Sequence, residues 1–139
     1  MGGFRQAQEY SAHYRDAVHA AATATEERTL FIAPCKCRVT GIEIASDVAV
    51  TGDGTNTTNV NVQYKGAAGV GTTEVANKDF GAGVNAIAFD NVAIPLNTTY
   101  ANGVDMAEGD TLSIIFEKVG TGGTVLIGPS AISIDYVPI

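Results

Sequence analysis

Apolar and polar residues alternate along much of this chain. Cys35, Cys37 and Val39 fall on one side of an extended segment, and Lys36, Arg38 and Thr40 on the other. A side-chain period of two belongs to a strand with one face in a core and one in water. The same alternation returns at Val60, Val62 and Tyr64, at Leu112, Ile114 and Phe116, and at Ile132, Ile134 and Tyr136. It predicts strands over residues 28–33, 35–45, 59–65, 72–80, 84–96, 111–118, 124–127 and 131–137. The run 84–96 is included for Ile87, Phe89 and Ile94. Pro34 lacks an N–H for a ladder and separates the first two strands.

Turn chemistry fills the gaps. Thr51-Gly-Asp-Gly-Thr-Asn, the Gly-rich run 66–71, Asn102-Gly103, Glu108-Gly-Asp and Gly120-Thr-Gly-Gly all supply residues that tolerate positive φ or bond their own backbone. Short strands punctuated in this way predict an all-β fold, an antiparallel sandwich or barrel of about eight strands. No internal repeat or linker divides the chain, so one domain is expected over 16–139. Residues 1–15 differ in being polar and carrying Phe4, Arg5, Tyr10, Tyr14 and Arg15. They read as an N-terminal arm that orders on a partner, since interfaces concentrate their energy in aromatic and Arg side chains, or else as a solvated terminus. Tyr10, Tyr14 and Val18, spaced by four, would make a stripe on a short helix. The Ala-rich segment 16–25 fits a helix by its Ala and a strand by its Thr-Ala-Thr alternation, and is read as a strand.

Composition narrows the function. Only 17% of the 139 residues are charged, Trp is absent, and 15 acidic against 8 basic side chains give a formal charge of −7. Such a surface repels phosphates, so nucleic-acid binding is disfavoured, and in a particle that holds nucleic acid the chain belongs on the outside. No run approaches the ~20 apolar residues of a membrane helix, and the start lacks an apolar signal stretch, so no membrane partner and synthesis in the cytoplasm are expected. The Asn-Thr-Thr triplets at 56–58 and 97–99 are read as turn residues.

Candidate chemistry is sparse. Cys35 and Cys37 have no second pair to complete a zinc site and are read as small core thiols. His13 and His19, six apart, are not brought together neatly by either a helix or a strand and are read as surface or packed side chains. Asp105, Glu108 and Asp110 invite a Ca²⁺ reading but depart from the EF-hand pattern. The loop 66–71 lacks the Gly-Lys-Ser/Thr ending of a phosphate-binding loop. No catalytic residue, metal ligand or cofactor is therefore assigned, and no enzyme is expected.

Four stretches, Leu30-Phe-Ile-Ala-Pro-Cys-Lys-Cys-Arg-Val-Thr, Tyr64-Lys-Gly-Ala-Ala-Gly-Val-Gly-Thr-Thr, Phe80-Gly-Ala-Gly-Val-Asn-Ala and Met106-Ala-Glu-Gly-Asp-Thr-Leu, occur in an order that resembles the capsid decoration (cement) proteins of tailed bacteriophages. The likeness covers about residues 28–137. It implies a jelly-roll-like β-sandwich, a homotrimer on the outer surface of the shell, with the major capsid protein as partner and neighbouring capsid subunits stapled together. It also implies an arm along the shell, which Phe4, Arg5, Tyr10, Tyr14 and Arg15 would supply. The alternative function is a carbohydrate- or receptor-binding sandwich on a virion surface, with Tyr100 as its best loop aromatic.

Overall fold

The computed structural model describes residues 9–16, 25–119 and 129–139. Nine strands run through them: β1 (Tyr10–Asp16), β2 (Glu26–Ile32), β3 (Cys37–Ser46), β4 (Thr57–Gly66), β5 (Thr73–Phe80), β6 (Asn91–Ala93), β7 (Val104–Met106), β8 (Thr111–Val119) and β9 (Ser130–Pro138). A single 3-10 turn, Thr98–Tyr100, lies between β6 and β7. One sheet has the order β1-β9-β3-β6, with β7 also on β3; the other has the order β2-β8-β4-β5.

That order follows from rolling up one long antiparallel ribbon. β4 pairs β5 at its tip, β3 pairs β6 and β7, β2 pairs β8, and β1 pairs β9 at its open end. Folding the ribbon over itself brings β9 beside β3 and β8 beside β4, which completes two sheets. This is a jelly roll, the architecture expected from the resemblance.

The inner faces of both sheets make one core. Cys37, Val39, Ile42, Ile44, Ile132 and Ile134 meet Val60, Val62, Leu112, Ile114 and Phe116 across it. β3 enters this core with odd-numbered residues, Cys37 and Val39, and leaves it with even-numbered ones, Ile42 and Ile44. A β-bulge between Val39 and Gly41, opposite β9, absorbs one residue and reverses the facing. Cys35 stands ahead of the strand, half-buried against the core, and both thiols are free. Burial, with the charges of Cys35, Asp105 and Asp110 behind it, pushes the Cys37 thiol up.

Two expectations need correction. The strand β1 starts at Tyr10, inside the stretch assigned to the arm, so the sandwich begins earlier than residue 16. The spacing of four that suggested a helical stripe is also an even number, and it suits a strand equally well. The run 84–96 is not one strand: only Asn91–Ala93 is. Ahead of it the chain makes two tight turns, closed by Val84 N–H donating to the Gly81 carbonyl at 3.0 Å and Asp90 N–H donating to the Ile87 carbonyl at 3.2 Å. The segments 17–24 and 124–127, read as strands, lie outside the described residues.

The two long sides of the sandwich differ. Beyond β6 the chain crosses from sheet to sheet: Ile94 N–H donates to Ile42 at 2.9 Å in one sheet, and Asn97 N–H to Val75 at 2.9 Å in the other. That crossing closes the β5/β6 side. On the opposite side β1 and β2 are the outer strands of their sheets and face one another.

Candidate interaction surface

Three of the five residues singled out for partner contacts lie in β1. Tyr10, Tyr14 and Arg15 are in register with Tyr136, Ile132 and Ala131 of β9; Phe4 and Arg5 lie outside the described residues. Tyr10 stacks on Tyr136 with ring centroids 5.7 Å apart, and Tyr136 leans on Phe31 at 5.3 Å. This row of rings bridges the facing edges of the two sheets. Beside it the sandwich is open as a groove of about 390 Å³, walled by Ala12, Leu30, Phe31, Ile32, Pro34 and Tyr136. Ile32, at the end of β2, is 61% exposed at its lip.

A second apolar surface occupies the end of the sandwich where β3 leads to β4 and β5 to β6. Loop 47–56 and loop 81–90 are tied together there. Val50 and Ala86 exchange backbone hydrogen bonds at 2.8 and 2.9 Å, and Gly52 N–H donates to Asn85 Oδ1 at 2.8 Å. The platform leaves Val48, Val84, Ile87 and Phe89 in water, with Ile87 70% and Phe89 76% exposed.

Phe89 is also conformationally out of place. It is the third residue of the turn 87–90 and has φ +65°, and among the described residues it is the one non-Gly residue with positive φ. Two sister turns, 81–84 and 107–110, are closed by the same backbone hydrogen bond and place Gly83 (φ +77°) and Gly109 (φ +85°) at that position. A side chain there costs on the order of 1–2 kcal/mol. The strain is held by Phe89 N–H donating to Ser46 at 2.8 Å. An aromatic ring that is both strained into place and left in water is the mark of a contact surface. Sequence reasoning put Ile87 and Phe89 in a strand; the available signal was length, since 84–96 is more than twice the usual strand of about 5–6 residues.

The polar candidates spend their hydrogen bonds on the fold. Arg38 grips Asp105 with two bonds, Nε to Oδ1 at 2.6 Å and Nη2 to Oδ2 at 3.1 Å, which hold the carboxyl below the usual range. Buried Asp110 accepts from Tyr64 Oη at 2.5 Å and from Ala107 N–H at 2.8 Å, so it fastens its own turn to β4. Its bond raises the Tyr64 phenol, with burial adding to the effect. Glu27 accepts from Lys65 Nζ at 2.6 Å and Ser113 Oγ at 2.7 Å, and both lower it. Asp53 accepts from the N–H groups of Thr55 and Asn56 at 2.6 and 2.9 Å as a turn residue. Across the outer face of β4 and β5, Asn59 and Asn77 exchange amide bonds at 3.2 Å, and Asn61 donates to Glu117 at 3.1 Å. Among the described residues no group of three or more His, Cys, Asp or Glu side chains is arranged to hold a metal ion. Tyr100, the aromatic considered for sugar stacking, is half-buried against the core and offers no open platform.

No family model and no curated protein matches the chain. Among solved structures it resembles a chain of the cyanophage Pam1 capsid asymmetric unit, with a TM-score of 0.58 and 19% identity over 100% of this chain and 90% of that one. Structures of infectious bursal disease virus, strains Gx and Gt, align at TM-scores of 0.40 and 0.36 with 14% and 12% identity, over 94% of this chain and 32% and 33% of theirs. The first likeness establishes a shared sandwich from end to end; the other two are too distant to add to it.

Proposed function

We propose that this chain is a structural, non-enzymatic protein of a virus particle. The observation that carries the reading is the whole-length likeness of the sandwich to a chain of a phage capsid asymmetric unit, in which neither chain has a large part left over. In its finer form, the protein sits on the outer surface of a tailed-phage shell, binds the major capsid protein and staples neighbouring subunits, as a homotrimer. The net charge of −7 supports an outer position, away from packaged nucleic acid. The strained, water-exposed Phe89 and the open groove supply apolar contact area, and Phe4, Arg5, Tyr10, Tyr14 and Arg15 would add to it from the N-terminal side. Stapling needs no reaction. Affinity for the assembled shell stabilises it by mass action, and several weak contacts made at once bind far more tightly than any one of them.

The test is addition of purified protein to shells that lack it. Saturable binding, with a fixed number of copies per shell and greater resistance of the shells to heat, is the expected result. Failure to bind, or binding without any change in shell stability, would remove the stapling role. Absence of the protein from purified particles by mass spectrometry would remove the virion reading altogether.

A further inference from the structure

We infer that the Phe89 surface is the face by which this chain docks, and that it seats in an apolar socket rimmed by Lys or Arg on a different protein of the particle. Ile87 and Phe89 stand 70% and 76% exposed, with Val48 and Val84 beside them. The support beneath them is built in. Val50 and Ala86 are joined by two backbone bonds, Gly52 N–H donates to Asn85, and Phe89 N–H donates to Ser46. An apolar knob fixed in this way has little freedom to lose on binding, so its burial is realised as affinity. An apolar centre with a charged surround is also the arrangement in which interfaces concentrate their energy.

Charge decides which partner fits. Residues 39–64 and 79–117, which contain both loops, have no Lys, Arg or His. The carboxylate of Asp90, next to Phe89, has no partner among the described residues. The partners of Asp53 are neutral N–H groups of its own turn, so its charge is not cancelled. Two Phe89 surfaces face to face would set these carboxylates against one another. Other faces of a second copy are no better supplied. Among the described residues Arg28 is paired with Glu26 at 2.9 Å, Arg38 with Asp105 at 2.6 Å and Lys65 with Glu27 at 2.6 Å. Lys36 acts on Asp105 as well, and Lys78 lies over the Phe80 ring, 5.6 Å from its centroid. A different protein whose socket carries its own cations satisfies both Asp side chains and covers the apolar centre.

This docking rests on the structural reading given above, and cosedimentation of the purified full chain with shells that lack it tests the two separately. Phe89→Gly, which removes the ring and relieves the turn, and Ile87→Ser, at an exposed position without positive φ, are each expected to weaken binding about tenfold or more, with unchanged circular dichroism. Asp90→Lys, which leaves the apolar centre in place, is expected to weaken it several-fold, and wild-type affinity is expected to fall as salt is raised. A photoreactive benzoylphenylalanine at position 87 is expected to cross-link the bound chain to a different protein of the shell. Wild-type binding by both apolar variants overturns the inference and leaves the structural role standing. Tighter binding by Asp90→Lys, or affinity that rises with salt, overturns the basic rim. Cross-links only to further copies of this chain overturn the choice of partner. A wild type that does not bind shells overturns the inference and the stapling role together.

Discussion

Replacing Phe89 by Gly and, separately, by Ala isolates the backbone strain in the turn 87–90. The ring is 76% exposed, so about a quarter of it is covered. A buried Phe removes roughly 200 Å² from water, and a quarter of that, at about 25 cal/mol per Å², is ~1.2 kcal/mol, lost equally in both variants. The variants differ only in how they tolerate φ +65°. Ala keeps the penalty of about 1–2 kcal/mol for a side chain in the left-handed region, whereas Gly avoids it and gives up about 0.5–1 kcal/mol of chain entropy. Gly should therefore be the more stable of the two by about 0.5–1 kcal/mol, worth roughly 2–3 °C in Tm for a chain of this size. The stability order should be Phe, then Gly, then Ala, measured by urea unfolding. Ile87, exposed in the same loop without positive φ, is the control: there Gly should fall below Ala by about 0.5–1 kcal/mol. If Ala exceeds Gly at both positions, the turn at Phe89 is not strained and the argument for a built contact surface loses its main support.

Three further outcomes follow from the packing and the hydrogen bonds. Gly52→Ala should destabilise by roughly 2 kcal/mol in chemical denaturation, because its Cβ would run into the carbonyls of Gly81 and Val84 and force the two loops apart. Tyr64→Phe should cost about 1–2 kcal/mol, since Asp110 loses its side-chain donor while remaining buried. Stability should fall on acidification: Glu27 is lowered in the fold by Lys65 and then Ser113, so its contribution is fully present above the unfolded value of about 4.3 and is lost as pH drops through the folded one. Glu27→Gln should flatten that acid limb in unfolding curves measured from neutral pH downward, and an unchanged slope would show that the Lys65 pair contributes nothing.

Most of the sandwich could be read from alternation because its inner face is predominantly apolar, with Ser46, Thr58 and Ser130 the polar residues buried in phase at its strand ends. Leu112, Ile114 and Phe116 in β8 and Ile132 and Ile134 in β9 are all buried, and their strands came out within one residue of the observed ends. β7 is three residues long and too short to show a period, so it was missed. β1 carries its pairing with β9 in a polar segment whose spacing suits helix and strand alike. The contact surface was misread for a different reason. Ile87 and Phe89 are apolar at alternate positions, which is the signature of a strand, and the turn that places them in water has Phe where Gly would have announced it. Position in the roll decides their exposure, and alternation carries no information about that.

The distribution of polar partners supports a role in contact. Asp105 is committed to Arg38, Asp110 to Tyr64 and a backbone N–H, Glu27 to Lys65 and Ser113, and Asp53 to two N–H groups of its own turn. A carboxylate engaged in this way has few lone pairs left to bind a substrate or move a proton. The fold also leaves apolar area in water, at Ile87 and Phe89 on one end, at Val70 in the loop from β4 to β5 and at Ile32 along the open side. Apolar burial has no direction of its own. Selectivity must then come from shape and from where on the sandwich these residues stand.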